Sequence, residues 1–109
     1  MMTSKPYVKI PGTATAGEII AVKTKLKHPM ETGWRQNKNG QTVPRKRIYK
    51  FLCTFNGTEV FRADLHSGVS ADPYLMFPAK IPGSGVLRCT WTEDGGREFV
   101  KDAEITVIS

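Results

Sequence analysis

Alternation of apolar and polar residues between short turn signals is the feature that most constrains how this chain can fold. Turns are indicated at Pro11-Gly12, Gly17, Asn56-Gly57, Pro82-Gly83 and Gly95-Gly96. Between them, apolar residues recur at every second position, as in a β-strand, whose successive side chains point to opposite faces. No segment has the 3.6-residue period and the caps of a helix. The pattern therefore predicts an all-β protein.

The alternation predicts about seven strands, over residues 7–10, 18–27, 46–55, 58–65, 74–80, 86–93 and 97–108. In residues 18–27, an apolar face made by Ile20, Val22 and Leu26 opposes a basic face made by Lys23, Lys25 and Lys27. Asn56-Gly57 suits the two positive φ angles of a type I′ hairpin turn. Such spacing is typical of an immunoglobulin-like antiparallel β-sandwich. With 109 residues, we expect one domain over residues 1–109.

The two cysteines, Cys53 and Cys89, both fall on predicted inward faces. An inter-sheet disulfide like that of antibody domains is conceivable, but Trp91 follows the second cysteine instead of lying between the two. We therefore favour two buried free thiols. A four-ligand metal site would need both cysteines to converge with His28 and His66 from four separate segments, so we expect no metal and no other cofactor.

Residues 28–45, with the sequence HPMETGWRQNKNGQTVPR, have no strand pattern. A connection of this length exceeds the usual limit of about 12–15 residues for a loop without secondary structure, and such loops are often functional. The apolar side chains of Met30 and Trp34 must pack on the domain or on a partner. The alternative for Trp34 is a lid that folds back over an open end of the sandwich.

A hydrolytic triad is the main enzymatic hypothesis to test, because Asp64, His66 and Ser70 lie close together in the sequence. Residues 68–72 lack the second glycine of the Gly-x-Ser-x-Gly elbow, and no strand-to-helix turn is predicted there. A surface turn is the simpler interpretation. We predict a non-catalytic protein with no catalytic residues.

The positive charge is concentrated in the first half of the chain. Residues 1–50 contain eleven Lys and Arg against two acidic residues, and residues 51–109 contain five against eight. Such a field attracts nucleic acid or an acidic protein. Nucleic-acid binding would need aromatic rings among the charges, and only Trp34 and Tyr49 are candidates, with Tyr49 assigned to the core face. A basic nucleic-acid-binding module is therefore the alternative, and an acidic protein partner is favoured.

No apolar run approaches the roughly 18–20 residues that span a bilayer, and the N-terminal segment lacks the apolar part of a secretion signal. We therefore expect no membrane partner. A chain without its own signal can still be exported when it is folded onto a partner that has one.

Several motifs closely resemble the Z subunit of the SoxYZ sulfur-carrier complex. They are His28-Pro29-Met30-Glu31-Thr32-Gly33, Arg35, Pro44-Arg45 with Ile48 and Phe51, Asn56-Gly57, Val60-Phe61, Ala63-Asp64, and Asp72-Pro73-Tyr74 with Phe77. Trp91 and the turn Asp94-Gly95-Gly96 also fit this family. The resemblance extends over nearly the whole chain.

The resemblance implies a non-catalytic role in the oxidation of thiosulfate and related sulfur compounds. In this family the intermediates are carried on a cysteine of the Y subunit, and the Z subunit is its immunoglobulin-like companion. It implies a heterodimer with a Y-type subunit, transient docking of other Sox enzymes, no nucleic acid, and a periplasmic location reached by export together with the Y subunit. In that oxidising space a disulfide would be chemically permitted.

The resemblance and the residue patterns together give a hypothesis for the partner-binding site. Apolar strand faces and Met30 or Trp34 would form the apolar part of this contact. Basic side chains would lie near its rim, where arginine can pair with carboxylate or sulfonate groups: Lys23, Lys25, Arg35, Arg45 and Arg47. The candidate residues are Met30, Glu31, Thr32, Gly33, Trp34, Arg35, Arg45 and Arg47.

Overall fold

The computed structural model describes residues 5–28, 30, 34, 36–43, 45–65 and 72–108. These residues form eight strands: β1 (Lys5–Lys9), β2 (Thr13–Ala14), β3 (Glu18–Lys27), β4 (Ile48–Phe55), β5 (Thr58–Asp64), β6 (Tyr74–Ile81), β7 (Gly85–Glu93) and β8 (Glu98–Val107). In the described part of the chain, no helix is long and apolar enough to cross a membrane.

The strands form two sheets that pack face to face. One sheet has three strands in the order β1-β3-β6, and the other has five in the order β2-β8-β7-β4-β5. The predicted immunoglobulin-like sandwich is confirmed. Of the described strands, the one that was not predicted is β2. It has two residues and pairs with β8 in parallel, whereas β8 and β7 pair antiparallel. Two residues are too few for an alternation to be visible in the sequence.

The predicted strands agree closely with those observed, and β3 has the expected bounds, Glu18–Lys27. The hairpin between β4 and β5 turns at Asn56 and Gly57, whose φ angles are 49° and 85°. Positive φ at both positions is the signature of a type I′ turn, which matches the right-handed twist of the flanking strands.

The core lies between the two sheets and is made by the inward residues of the long strands. Phe51 of β4 is the aromatic centre, with ring centroids 5.1 Å from Trp91 and 5.8 Å from Phe77. Phe77 also stacks on Phe61 at 4.2 Å. On β3, Val22 and its inward neighbours are buried as predicted. These contacts hold β6 of the small sheet against β4 and β5 of the large one.

The expectation that Tyr49 lies on the core face is wrong, because its side chain is 41% exposed. The pairing of β4 with β7 slips here: Ile48 pairs with Glu93 and Lys50 with Thr92, which leaves Tyr49 as the extra residue of a β-bulge. Ile48 and Phe51 can therefore both face inwards, and Tyr49 turns to the surface.

Candidate functional site

The long loop after β3 starts from a buried anchor at His28. The His28 side chain is 1% exposed, and its Nε2 lies 2.6 Å from Glu93 Oε2 at the end of β7. Its Nδ1 accepts a hydrogen bond from the backbone N–H of Met30 at 2.9 Å. Because Nδ1 is an acceptor, Nε2 bears the hydrogen that is donated to the carboxylate. The imidazole thus joins the start of the loop to the opposite sheet.

The backbone N–H and the backbone carbonyl of His28 are also both hydrogen-bonded. Its N–H donates to Asp72 Oδ1 at 2.8 Å, and its carbonyl accepts from the N–H of Asp72 at 2.8 Å. Asp72 has a positive φ of 53°, a conformation that aspartate tolerates better than most residues. The segment before β6 and the start of the loop are therefore fixed to each other.

Met30 lies in the core, with 5% of its surface exposed. Its sulfur accepts a hydrogen bond from the N–H of Ile48 at 3.3 Å. Of the two alternatives for this side chain, packing on the domain is the one observed. The hypothesis that Met30 supplies a dry surface to a partner is therefore corrected, because a side chain enclosed by the domain offers no such surface.

The middle of the loop forms a small hairpin that the sequence pattern did not predict. Gln36 and Thr42 form an isolated antiparallel bridge, and the N–H of Asn37 donates to the carbonyl of Gln41 at 2.8 Å. The Asn37 side chain accepts from the N–H of Asn39 at 2.9 Å and from that of Gln41 at 3.1 Å. Asparagine commonly caps a tight turn in this way, so residues 36–42 are ordered by local hydrogen bonds.

The end of the loop is tied to the β7–β8 turn through Asp94. The carboxylate accepts the N–H of Arg47 at 2.9 Å and lies 3.2 Å from Arg45 Nε. The Arg45 side chain is 58% exposed, so its remaining donors can meet a partner. The Arg47 side chain is only 16% exposed, and its Nε and Nη1 have no hydrogen-bond partner among the described residues.

The predicted partner-binding residues thus separate into three groups. Trp34, 88% exposed, and Arg45 lie at the surface. The alternative in which Trp34 covers an end of the sandwich is not what the structure has. Met30 and Arg47 are largely enclosed, and they position the loop. The remaining four, Glu31, Thr32, Gly33 and Arg35, lie outside the described residues.

The two thiols are buried next to each other. Cys53 on β4 and Cys89 on β7 are directly paired in register, with 3.8 Å between their sulfur atoms. They therefore share one sheet, which corrects the idea of an inter-sheet pair. Both are free, as favoured from the sequence. The hydrogen bond between the thiols and their burial raise the pKa of Cys89 far above its ordinary range.

The outer face of the small sheet is open and basic at one end. Register places Tyr7, Lys25 and Tyr74 side by side across three strands. The adjacent rows contain two lysine pairs, Lys9 opposite Lys23 and Lys5 opposite Lys27. We call these seven residues the lysine face, and all of them except Lys27 line a shallow depression of about 560 Å³. Tyr7 and Tyr74 are 46% and 56% exposed.

Towards the start of β3 the same sheet face is mostly apolar, and Lys80, opposite Ile19, is its one basic residue in the described part of the chain. Ile19 and Met76 are 66% and 60% exposed, and with Ala21 and Pro78 they form what we call the apolar patch, which lines a depression of about 380 Å³. Their outward position follows from the period of two, so the alternation alone could have identified them. The hypothesis drawn from the sequence assigned apolar strand faces a part in the partner contact, but it named none of these four residues.

Metal-binding side chains are not grouped in the described part of the chain. No three His, Cys, Asp or Glu side chains there stand close enough together to hold a metal ion. His66 and Ser70, two members of the tested hydrolytic triad, lie outside the described residues.

Solved structures of known proteins share the fold. The superoxide reductase (neelaredoxin) from Ignicoccus hospitalis is 21% identical, with a TM-score of 0.73 over 94% of this chain and 80% of that one. A putative superoxide reductase from Thermotoga maritima is 16% identical, with a TM-score of 0.73 over 95% and 86%. The sulfur carrier protein SoxY from Chlorobium limicola f thiosulfatophilum is 13% identical, with a TM-score of 0.69 over 95% and 79%. At these identities the likeness is one of fold.

No curated protein sequence is significantly similar to the chain. The family of sulphur oxidation protein SoxZ, in contrast, matches residues 8–104. That match includes the His28 anchor, the loop, the apolar patch, and all of the lysine face except Lys5 and Tyr7. The protein therefore belongs to the SoxZ family of sulphur oxidation proteins.

Proposed function

We propose that this chain is the non-catalytic subunit of a periplasmic sulfur-carrier complex and that it binds a Y-type subunit whose cysteine carries the sulfur intermediates. The observation that carries the proposal is the family match over residues 8–104. The same match supports a role in sulfur oxidation and a division of labour in which the reactive thiol belongs to another chain. Other Sox enzymes would dock on the assembled complex only transiently.

The buried thiol pair supports this division of labour. A carrier cysteine reacts as a thiolate and must reach several enzymes in turn. Cys53 and Cys89 are both fully buried, and the pKa of Cys89 is raised by the adjacent Cys53 thiol and by burial. Neither property suits a sulfur carrier, so the carrier function is assigned to the partner.

We propose that the apolar patch is the main surface to which the Y-type subunit binds. An exposed Ile and Met on a flat sheet face are expected where a lasting protein contact forms, because their burial removes apolar surface from water. The loop supplies a second contact through Trp34 and Arg45. Tryptophan and arginine are enriched among the residues that dominate interface energies. The apolar patch begins at Ile19, near the start of β3, and the loop leaves the same strand after Lys27, roughly 26 Å further along the strand.

Variants of single exposed residues test both contacts. With the full chain and a Y-type subunit from the same cells, Met76→Glu is expected to weaken the complex at least tenfold, because a charge replaces buried apolar surface. Trp34→Ala is expected to weaken it to a similar extent. The matched control is Val100→Glu, which puts the same charge on an exposed residue of the other sheet. Dissociation constants from isothermal titration calorimetry measure all three.

If Met76→Glu and Trp34→Ala both bind like the unaltered chain, the proposed contacts are wrong. If the unaltered chain does not bind the Y-type subunit at all, the proposed function fails. Nucleic acid remains the alternative ligand, because Tyr7 and Tyr74 bring aromatic rings among the lysines of the outer face. Titration with single-stranded and duplex DNA under the same conditions separates that alternative from protein binding.

A further inference from the structure

The lysine face concentrates like charges, with a single acidic residue, Asp72, beside it among the described residues. Of the residues that point outwards from its rows on β1, β3 and β6, none is acidic, and in the described part of the chain none of its lysines has a carboxylate within salt-bridge distance. Asp72, which lines a depression with Lys25 and Lys27, accepts a hydrogen bond from the backbone N–H of His28 and offsets one of the five lysine charges. The face therefore keeps a net positive charge that is exposed to solvent.

Two pairs on this face are of a kind that destabilises a sheet. Lys9 lies directly opposite Lys23, and Lys5 directly opposite Lys27. Like charges in directly opposed positions of neighbouring strands are unfavourable. The β7–β8 pair in the same molecule has the opposite arrangement, with Arg88 opposed by Asp102 and 2.8 Å between Arg88 Nε and Asp102 Oδ1. Opposed charged residues in this molecule are thus not always of like sign, and among the described strand pairs the repulsion is specific to the lysine face.

Protection of an exposed sheet edge explains only part of this arrangement. Lysine on an edge strand prevents unwanted strand pairing, and β1 is an edge strand. However, Lys23, Lys25 and Lys27 are on β3, the central strand of the sheet, whose edges are both paired. Their charges need another explanation, and an anionic partner that neutralises them supplies one.

We propose that the lysine face is a docking surface for an acidic protein, one whose Asp and Glu side chains meet the three rows of lysines. Rows that lie two residues apart on a strand are separated by about 6.6 Å, so the face presents a grid of charges that fits a flat, carboxylate-rich surface. Lysine is a strongly hydrated point charge on a flexible stem. Exposed ion pairs of this kind speed association more than they hold a complex together.

Nucleic acid fits this face less well. A base-stacking platform needs open ring faces, and the Lys5 ammonium lies over the Tyr7 ring, 5.6 Å from its centroid. A small anion also fits poorly, because Lys9, Lys23 and Lys25 are all exposed and form no enclosed site. The inference goes beyond the proposed function, since it concerns a transient contact on the lysine face. That face adjoins the apolar patch, where Lys23 lies opposite Met76.

Binding of the full chain to poly-L-glutamate, a model for a carboxylate-rich surface, tests the proposal. Lys25→Glu is compared with the matched control Lys38→Glu, which makes the same change in net charge on the exposed turn of residues 37–40. At low salt, Lys25→Glu is expected to weaken binding about tenfold and Lys38→Glu less than twofold. Equal losses in the two variants would mean that only net charge matters, and would overturn the proposal.

Competing anions complete the test. Tighter binding of single-stranded oligothymidylate than of poly-L-glutamate, with loss of that binding in Tyr74→Ala, would assign the face to nucleic acid instead. Displacement of poly-L-glutamate by sodium sulfate far more efficiently than by sodium chloride of equal ionic strength would indicate a small-anion site. Either result contradicts the proposal. Similar displacement by the two salts, with weaker DNA binding, supports it.

The isolated chain gives a second readout that does not depend on any ligand. Lys9→Gln removes one charge of an opposed pair, so its melting temperature is expected to rise by about 1–4 °C at low salt. Lys38→Gln, which has no opposed lysine, is expected to leave the melting temperature unchanged. A Lys9→Gln variant that melts like the unaltered chain would remove the electrostatic argument and overturn the inference.

Discussion

His28 shows how a single side chain can order a long loop. Its ring bonds Glu93 on one side and the backbone of Met30 on the other, at 2.6 Å and 2.9 Å. His28→Ala would leave the buried Glu93 carboxylate without its shortest hydrogen bond, which is expected to cost about 2–4 kcal/mol in free energy of unfolding. Glu93→Gln keeps an oxygen that can accept from Nε2 and should cost less. Urea denaturation measures both; a loss below about 1 kcal/mol for His28→Ala would contradict this role.

The thiol pair offers a second test at the level of single residues. Both cysteines are buried, and the pKa of Cys89 lies well above its ordinary value because of the Cys53 thiol and burial. We therefore expect neither thiol to react with iodoacetamide at pH 8 in the folded chain, and both to react in urea. A raised pKa also means that the folded state keeps a proton that the unfolded chain releases, so stability should decrease above about pH 8.5. Rapid reaction of either cysteine with iodoacetamide in the folded chain would contradict the burial of the two thiols.

At the scale of strands, the Arg88–Asp102 pair predicts an effect of acid. The hydrogen bond from the Arg88 guanidinium, together with its charge, holds the pKa of Asp102 below its usual value. The pair therefore adds stability at pH values above the unfolded pKa of about 3.9, and this contribution is lost as the pH falls through the lower folded value. The effect is small, because both side chains are exposed and solvent screens them.

Asp102→Asn is accordingly expected to reduce the loss of stability between pH 5 and pH 2. The matched control is Glu104→Gln on the same strand, where the opposed residue is Val86. Urea midpoints at several pH values provide the comparison. If Asp102→Asn and Glu104→Gln change the pH profile equally, the cross-strand pair has no special role.

Strands could be predicted from the sequence where the local alternation of apolar and polar residues determines them. They could not be predicted where contacts with distant strands determine them. The bounds of β3 and the type I′ turn at Asn56 and Gly57 followed from residue types alone. Tyr49 was misplaced, because a β-bulge depends on the partner strand, and β2 was missed because its two residues are defined by pairing with β8. The hairpin at residues 36–42 was likewise hidden, since side-chain hydrogen bonds of Asn37 define it.

At the scale of the whole molecule, the candidate site depended on contacts between distant parts of the chain. The outward lysines of β3 were predicted, but their alignment with the lysines of β1 and with Tyr74 appears only once the strand order is known. Met30 was expected to be a surface candidate, and the fold encloses it. The family resemblance identified the functional context from the motifs, whereas the fold separates the surfaces into an apolar patch, a lysine face and an exposed loop.

The proposal that this chain binds a sulfur-carrying subunit concerns the assembled complex. Native mass spectrometry of the full chain mixed with a Y-type subunit from the same cells, with and without DNA as a competitor, tests it most directly. We predict a discrete complex with one copy of each chain that DNA does not disrupt. A chain that remains free beside the Y-type subunit, or that leaves it for DNA, would contradict the claim.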